Sequence, residues 1–192
     1  MFDWLRRSRR DMEDCGLGSP VQHLARHRVL GKNLVAVHVN YLGRKDASTL
    51  ASKQVSVVHC PRSHSYFRHA KFPLKRLLRA GVNVCLGSDS LASVIKQRRQ
   101  PVELNMFEEM RALAHNHSWL APKMILKMAT LKGAKALGFE NKVGELGAGA
   151  FADCVALPFA GKRSKAYDAI LQHTGFIAAS MIDGKWVFAS TR

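Results

Sequence analysis

Acidic residues are scarce in this chain. Asp and Glu together number 14 against 30 Lys and Arg, which leaves a formal net charge of +16 over 192 residues. Such an excess raises the question of nucleic acid, because clustered bases release the counterions condensed on phosphate. Here the bases are scattered through Arg6–Arg10, Arg62–Arg79, Lys96–Arg99, Lys123–Lys135 and Lys162–Lys165, with no aromatic-interleaved stripe among them. No specific nucleic-acid partner is expected, and the charge is read as a matter of solubility and non-specific binding. Cysteine is sparse too: Cys15, Cys60, Cys85 and Cys154 make no C-x-x-C pair and no zinc-ribbon spacing. Cys60, Cys85 and Cys154 lie in or beside strand-like runs, where reduced cysteine behaves as a small apolar residue, so a reducing, cytoplasmic localisation is expected. Long apolar runs are missing as well. None approaches the ~20 residues that span a bilayer, and no apolar stretch follows the basic Met1–Arg10, so neither a membrane partner nor a secretory leader is expected.

What is present is an apolar fraction of 47%, enough to exclude a disordered chain. It is concentrated between Leu34 and Ser90. Three runs there, LVAVH ending at His38, VSVVH ending at His59 and VNVCLGSD ending at Asp89, are rich in Val and Leu on both faces. Strands of a parallel sheet read this way when helices cover both sides. The segments between them, Asp46–Lys53 and Phe72–Ala80, can return the chain as helices. Reactive groups at successive strand ends are the layout of a (β/α) barrel active site.

Elsewhere the pattern predicts helices over Phe2–Met12 and Val21–Val29, the latter ending near Gly31. A further helix opens at Pro101, with Leu104, Phe107, Met110, Leu113 and Ala114 on one stripe. Pro122 opens another, and Lys132–Leu137 makes a short one ending at Gly138. After Phe139 the character changes. Glu145–Gly149 is a glycine-rich turn, Asp153–Pro158 a short strand, and Gly175–Ile182, Asp183-Gly184 and Lys185–Ala189 read as a hairpin.

Four segments, VHCPRSHSYF, PLKRLLRAGVNVCLGSDSLAS, VGELGAGAFADCVAL and MIDGKWVF, occur in this order. They resemble the amidohydrolase superfamily, in particular its branch of cytosine, guanine and S-adenosylhomocysteine deaminases and triazine chlorohydrolases. The resemblance implies an α/β fold: residues 1–138 as strands six to eight of a (β/α)8 metal-dependent hydrolase barrel (TIM barrel), and residues 139–192 as part of a small composite β-sandwich. It implies that His38, at the end of strand six, contacts substrate and attacking water as a catalytic residue. His59, of the H-C-P motif, would be substrate-binding. Asp89 would be both metal ligand and catalytic base, for a divalent zinc or iron that lowers the pKa of its water to about 7.

Each residue also has a plainer reading. Asp89 could cap the following turn through its side chain, His38 could be an ordinary strand-end histidine, and His59 could be a satisfied core histidine. His115-x-His117 spells a motif the family carries at strand one, yet two residues apart on a helix point ~200° away from each other. That pair is expected to lie away from the barrel mouth. His64 and His69 fall in an Arg-rich loop and are expected to be solvated.

The family's H-x-H and its fifth-strand histidine would both precede Met1. The expectation is therefore the C-terminal part, a fragment, of an amidohydrolase whose parent hydrolyses a C–N bond, deaminating a purine-, pyrimidine- or triazine-like ring. The chain alone is expected to be inactive. The alternative is a catalytically incompetent remnant or binding module. The expected partners are a small-molecule substrate and either a second copy of the chain, as a homo-oligomer, or a separate N-terminal half.

Overall fold

A computed structural model describes residues 18–96 and 102–189. The helix expected over Phe2–Met12, Cys15 and the bases at 98 and 99 lie outside them. The first half runs α1 (Pro20–Arg26), β1 (Val35–Val37), α2 (Asp46–Ser52), β2 (Ser56–His59), α3 (Pro61–Tyr66), α4 (Leu74–Arg79) and β3 (Asn83–Leu86). The second half runs α5 (Met106–Asn116), α6 (Pro122–Ala129), α7 (Leu131–Ala136), β4 (Cys154–Ala156), α8 (Ala166–Gln172), β5 (Ala179–Ile182) and β6 (Lys185–Ala189).

The three apolar runs form one parallel sheet in the order β1-β2-β3. Val37 lies opposite Val58, and Val58 opposite Cys85. Val57 and Val84 are fully buried because helices cover the sheet; α4, α6 and α7 all touch β3. Leu50, Leu74, Leu77, Leu113, Ile125 and Met128 fill the space between sheet and helices. A polar latch ties α1 to α2. The Ser19 hydroxyl accepts from the Gln22 amide and donates to Asp46 Oδ1 at 2.8 Å, while the Gly43 amide donates to Asp46 Oδ2 at 2.6 Å. Among the described residues, β1 and β3 each pair on one side only.

A second, antiparallel sheet has the order β4-β5-β6, with Asp183-Gly184 at the hairpin turn as expected. Its Trp186, Val187 and Phe188 are exposed. The intervening α8, which sequence reading missed, returns to the helical layer against α5 and α6. Its Leu171 is buried there, and Arg111 of α5 donates to the carbonyls of Leu171 and His173. No helix among the described residues is long and apolar enough to cross a membrane.

Other differences have local causes. The helix expected from Pro101 begins at Met106, because the Asn105 side chain accepts from the amides of Phe107 and Glu108. Leu104 thereby stays outside the helix and exposed. The first helix stops at Arg26 rather than at Gly31, with Arg28 turning the chain at φ 55°. The α3 helix replaces the expected loop, and it has no apolar stripe to announce it. Its buried residues are Pro61, Ser63 and His64, so polar contacts rather than periodic hydrocarbon hold it in place.

Two of the ionisable groups buried in this core are strongly perturbed by it. His59 is 2% exposed and stacks on Phe72 with ring centroids 3.8 Å apart. Burial first, then the neighbouring His64, His117 and His38 imidazoles, push its pKa down to about 3. Glu109 is fully buried, and burial pushes its carboxyl up to about 7 against the opposing pull of Arg62. The two groups bias stability in opposite directions. Below the unfolded histidine range near 6.5, the unfolded state takes up protons that His59 refuses, so its contribution is lost as pH falls toward about 3. Glu109's contribution is complete below about 4.5 and is lost as pH rises through about 7. His64 and His117, lowered by burial, act in the same sense as His59.

Two outcomes follow from this packing. Urea midpoints measured between pH 4.5 and 6.5 should fall more steeply on acidification in Glu109→Gln than in the wild type, and less steeply in His59→Gln. Identical slopes in all three proteins would contradict the opposed contributions. Gly87→Ala tests the close approach at the end of β3, where an added Cβ would meet Val58 Cγ1 at 2.7 Å and Cys60 Sγ at 3.3 Å. Overpacking of that kind costs about 1–3 kcal/mol, read as a lowered urea midpoint at constant slope.

Candidate active site

Parallel pairing sends the carboxyl ends of β1, β2 and β3 to one rim, and pairing continues one step beyond the strands. The His38 amide donates to the Val58 carbonyl at 2.8 Å, and the Gly87 amide donates to the His59 carbonyl at 3.0 Å. His38, His59 and Asp89 therefore share this rim, as their positions at the ends of the three runs led one to expect. The chain turns sharply there. His38, Val39 and Asp89 have φ of 70°, 45° and 56°, in the left-handed region that aspartate tolerates and a β-branched valine avoids. Residues held in such conformations cost of order 1–3 kcal/mol each and cluster at functional sites.

Asp89 is exposed, and its orientation is set by two hydroxyls. Ser63, from α3, donates to Oδ2 at 2.5 Å, and Ser93 donates to the same oxygen at 3.0 Å. The Ser63 hydrogen bond, then that of Ser93 and the proximity of His38, hold the carboxyl below the usual carboxylate range against a smaller effect of burial. Asp89 is thus an ionised acceptor at neutral pH. His59 is the opposite kind of group: buried, neutral, and with Nδ1 lacking any hydrogen-bond partner among the described residues. It can pack or hydrogen-bond but cannot carry a proton near neutrality.

Two histidines lie elsewhere than expected. His64 is not solvated in a loop. It sits on α3, buried, with Nδ1 sharing a hydrogen bond with Asn40 Oδ1 at 3.0 Å and its ring edge-on to His59 at 5.2 Å. Nor does His117 lie away from this region. The helix α5 ends at Asn116, and His117 leaves it at φ −138°, ψ 62°, becoming buried within electrostatic reach of His59 while His115 stays exposed. The two therefore diverge, as expected of a pair that cannot share an ion. His69 meets the Tyr41 hydroxyl at 3.2 Å.

Sequence reading also missed Ser63, Ser93 and Glu109 as members of the site. Ser63 lies four residues after His59 in the VHCPRSHSYF segment, and Ser93 lies four residues after Asp89. Glu109 was hidden among the apolar positions of α5. Metal chemistry needs more than this rim supplies. Among the described residues no three His, Cys, Asp or Glu side chains are grouped to hold an ion, whereas a catalytic zinc takes three protein ligands and a water. Asp89 fits as one such ligand by its charge and exposure; a complete ligand set does not.

Comparison with known proteins places these features in context. The amidohydrolase family matches residues 11–187. A 5-methylthioadenosine/S-adenosylhomocysteine deaminase of Syntrophobacter fumaroxidans is 37% identical over 147 residues, covering 73% of this chain and 32% of the relative. The protein of the same name from Thermococcus sibiricus is 34% identical over 182 residues, covering 88% of this chain and 41% of its own length. Among solved structures, a zinc-bound adenosine deaminase from Xanthomonas campestris superposes with a TM-score of 0.80 at 28% identity, over 93% of this chain and 42% of that one. The chain thus spans less than half the length of these relatives. With the parallel sheet, the shared rim and this coverage together, the chain belongs to the amidohydrolase family.

Proposed function

We propose that this chain forms the strand-six-to-eight part of a metal-dependent amidohydrolase, with residues 1–138 contributing to the barrel and 139–192 to a small sheet-rich unit. The complete site would deaminate a purine-like ring. The observation that carries this reading is the meeting of His38, His59 and an ionised Asp89 at one end of a parallel sheet. The relatives named as deaminases of adenosine-type compounds favour that substrate class over pyrimidines and triazines. In this reading Asp89 is both one metal ligand and the base.

A divalent ion, zinc as in the Xanthomonas structure or iron, would supply the Lewis acid that makes water nucleophilic near neutral pH. Held ionised by Ser63 and Ser93, Asp89 would take one proton from the water that attacks the ring carbon and return it to the departing amine, so that ammonia leaves as the water's second proton ends on the ring nitrogen. His38 faces the substrate and the water, and neutral His59 shapes the substrate side. The remaining ligands would come from the earlier strands of the barrel. The buried, free Cys60 and Cys85 agree with a reducing cytoplasmic compartment. A second reading, a chain without catalysis of its own, is favoured by the lack of a complete ligand group among the described residues.

Co-expression separates the two readings. The chain alone with Zn2+ should release no ammonia from 5-methylthioadenosine. Combined with the segment of the Syntrophobacter relative that lies outside the match, it should gain bound zinc and chelator-sensitive turnover. Asp89→Asn should then lower turnover by about 10²–10⁴ together with zinc content, while His38→Asn lowers turnover and keeps most of the zinc. A folded, stoichiometric complex without zinc or turnover would favour the non-catalytic reading.

A further inference from the structure

We infer that Glu109 is a positioning residue for Asp89: from α5, its buried carboxylate fixes the Arg62 amide and with it the turn of α3 that brings Ser63 onto Asp89. The inference deepens the proposed function and rests on it only in giving Asp89 a role in the reaction.

The argument begins with the start of α3. Helices leave their first amides without partners, and a side chain just before the helix usually accepts one of them. Here Cys60 occupies that position and makes no such bond. Pro61 has no amide to satisfy, so Arg62 presents the first orphan N–H. Its partner is Glu109 Oε2, at 3.0 Å and 47 residues away in sequence. Glu109 thus does from another helix what a local cap would do. The same carboxylate faces the Arg62 guanidinium, with Oε1 3.8 Å from Nε, and the guanidinium also donates to the Glu103 carbonyl at 3.1 Å.

Apart from Pro61 the buried residues of α3 are polar, Ser63 and His64, so hydrogen bonds rather than hydrocarbon place this helix. Ser63 is the next residue after the clamped amide, and its 2.5 Å hydrogen bond to Asp89 leaves little room for displacement. The position of Glu109 on α5 is otherwise a core position, flanked by buried Met110 and Leu113. An acid there is costly, as its pKa raised to about 7 by burial records, and packing alone would be better served by hydrocarbon.

The test uses the full chain labelled with 13C at the aspartate carboxyl, with the Asp89 resonance identified by its absence in Asp89→Asn. Glu109→Asp keeps the carboxyl group but withdraws it by one methylene, Glu109→Ala removes the acceptor, and Glu109→Gln keeps an acceptor oxygen in place. Ser63→Ala gives the shift caused by losing the hydroxyl itself. At one fixed pH, Glu109→Asp and Glu109→Ala should move the Asp89 resonance in the direction of Ser63→Ala and by a comparable amount, and Glu109→Gln should restore it. If Glu109→Ala does not fold, Glu109→Asp decides. A lowered melting temperature in these variants with the Asp89 resonance at its wild-type position would show Glu109 to be structural only and overturn the inference, as would an unmoved resonance in Ser63→Ala. Failure of the metal assignment shows separately, as unchanged zinc content of Asp89→Asn in the completed complex.

Discussion

Parallel pairing of β2 with both of its neighbours decides where every group of the candidate site falls. An antiparallel neighbour would carry its strand-end residue to the opposite edge, and His38 or Asp89 would be lost from the rim. Register matters as much as direction. Because side chains alternate across a sheet, a slip of one residue would exchange buried Val57 and Val84 for their neighbours. The hydrogen bonds that continue past the strands, from His38 to Val58 and from Gly87 to His59, extend that register into the turns. Gly87 permits the last of these turns, since any larger residue would collide with Val58 and Cys60.

Around this sheet the structure relies on polar groups that have been taken out of water and tied by specific hydrogen bonds. Asp46 accepts from both Ser19 and the Gly43 amide and so ties the first helix to the second. Glu109 does the same for α3, a helix with no apolar stripe of its own. Hydrocarbon contacts tolerate small slides between elements, whereas a buried carboxylate with a single donor geometry does not. Such groups contribute little net stability, because desolvation offsets most of the attraction. What they contribute is placement, and the rim is where placement counts: Ser63 must arrive within hydrogen-bonding distance of Asp89 from one direction and Ser93 from another.

This division explains what was legible in the sequence. Val- and Leu-rich runs announce a doubly covered sheet, so the three strands, the order of their reactive ends and the Asp-Gly hairpin were readable from pattern alone. Helices with an apolar stripe behind a starting proline, such as α6, were readable too. The α3 helix was not, because PRSHSY has no periodicity and its place is set by Glu109, 47 residues from Arg62. His64 and His117 were misplaced for the same reason, since each is buried through contacts made by elements distant in sequence. His59 illustrates the limit most clearly. Its position at a strand end was legible, but its neutrality depends on burial against Phe72 and on three other histidines, which only the fold brings together.

Two deficits of the described structure have one geometry. The parallel sheet pairs on one side only at β1 and at β3, which leaves two rows of backbone donors and acceptors of the kind that recruit further strands. Val37, at the β1 edge, is exposed although it belongs to an otherwise apolar run. At the carboxyl ends of the same strands, Asp89 stands as a charged, oriented carboxylate without the other ligands a metal needs. Strands added at those edges would pair the free backbone, cover Val37 and carry their own carboxyl ends to the same rim. Backbone satisfaction, burial of hydrocarbon and completion of the ligand set would then be one event. On the proposed function, pairing at these edges and assembly of the active site are for that reason coupled.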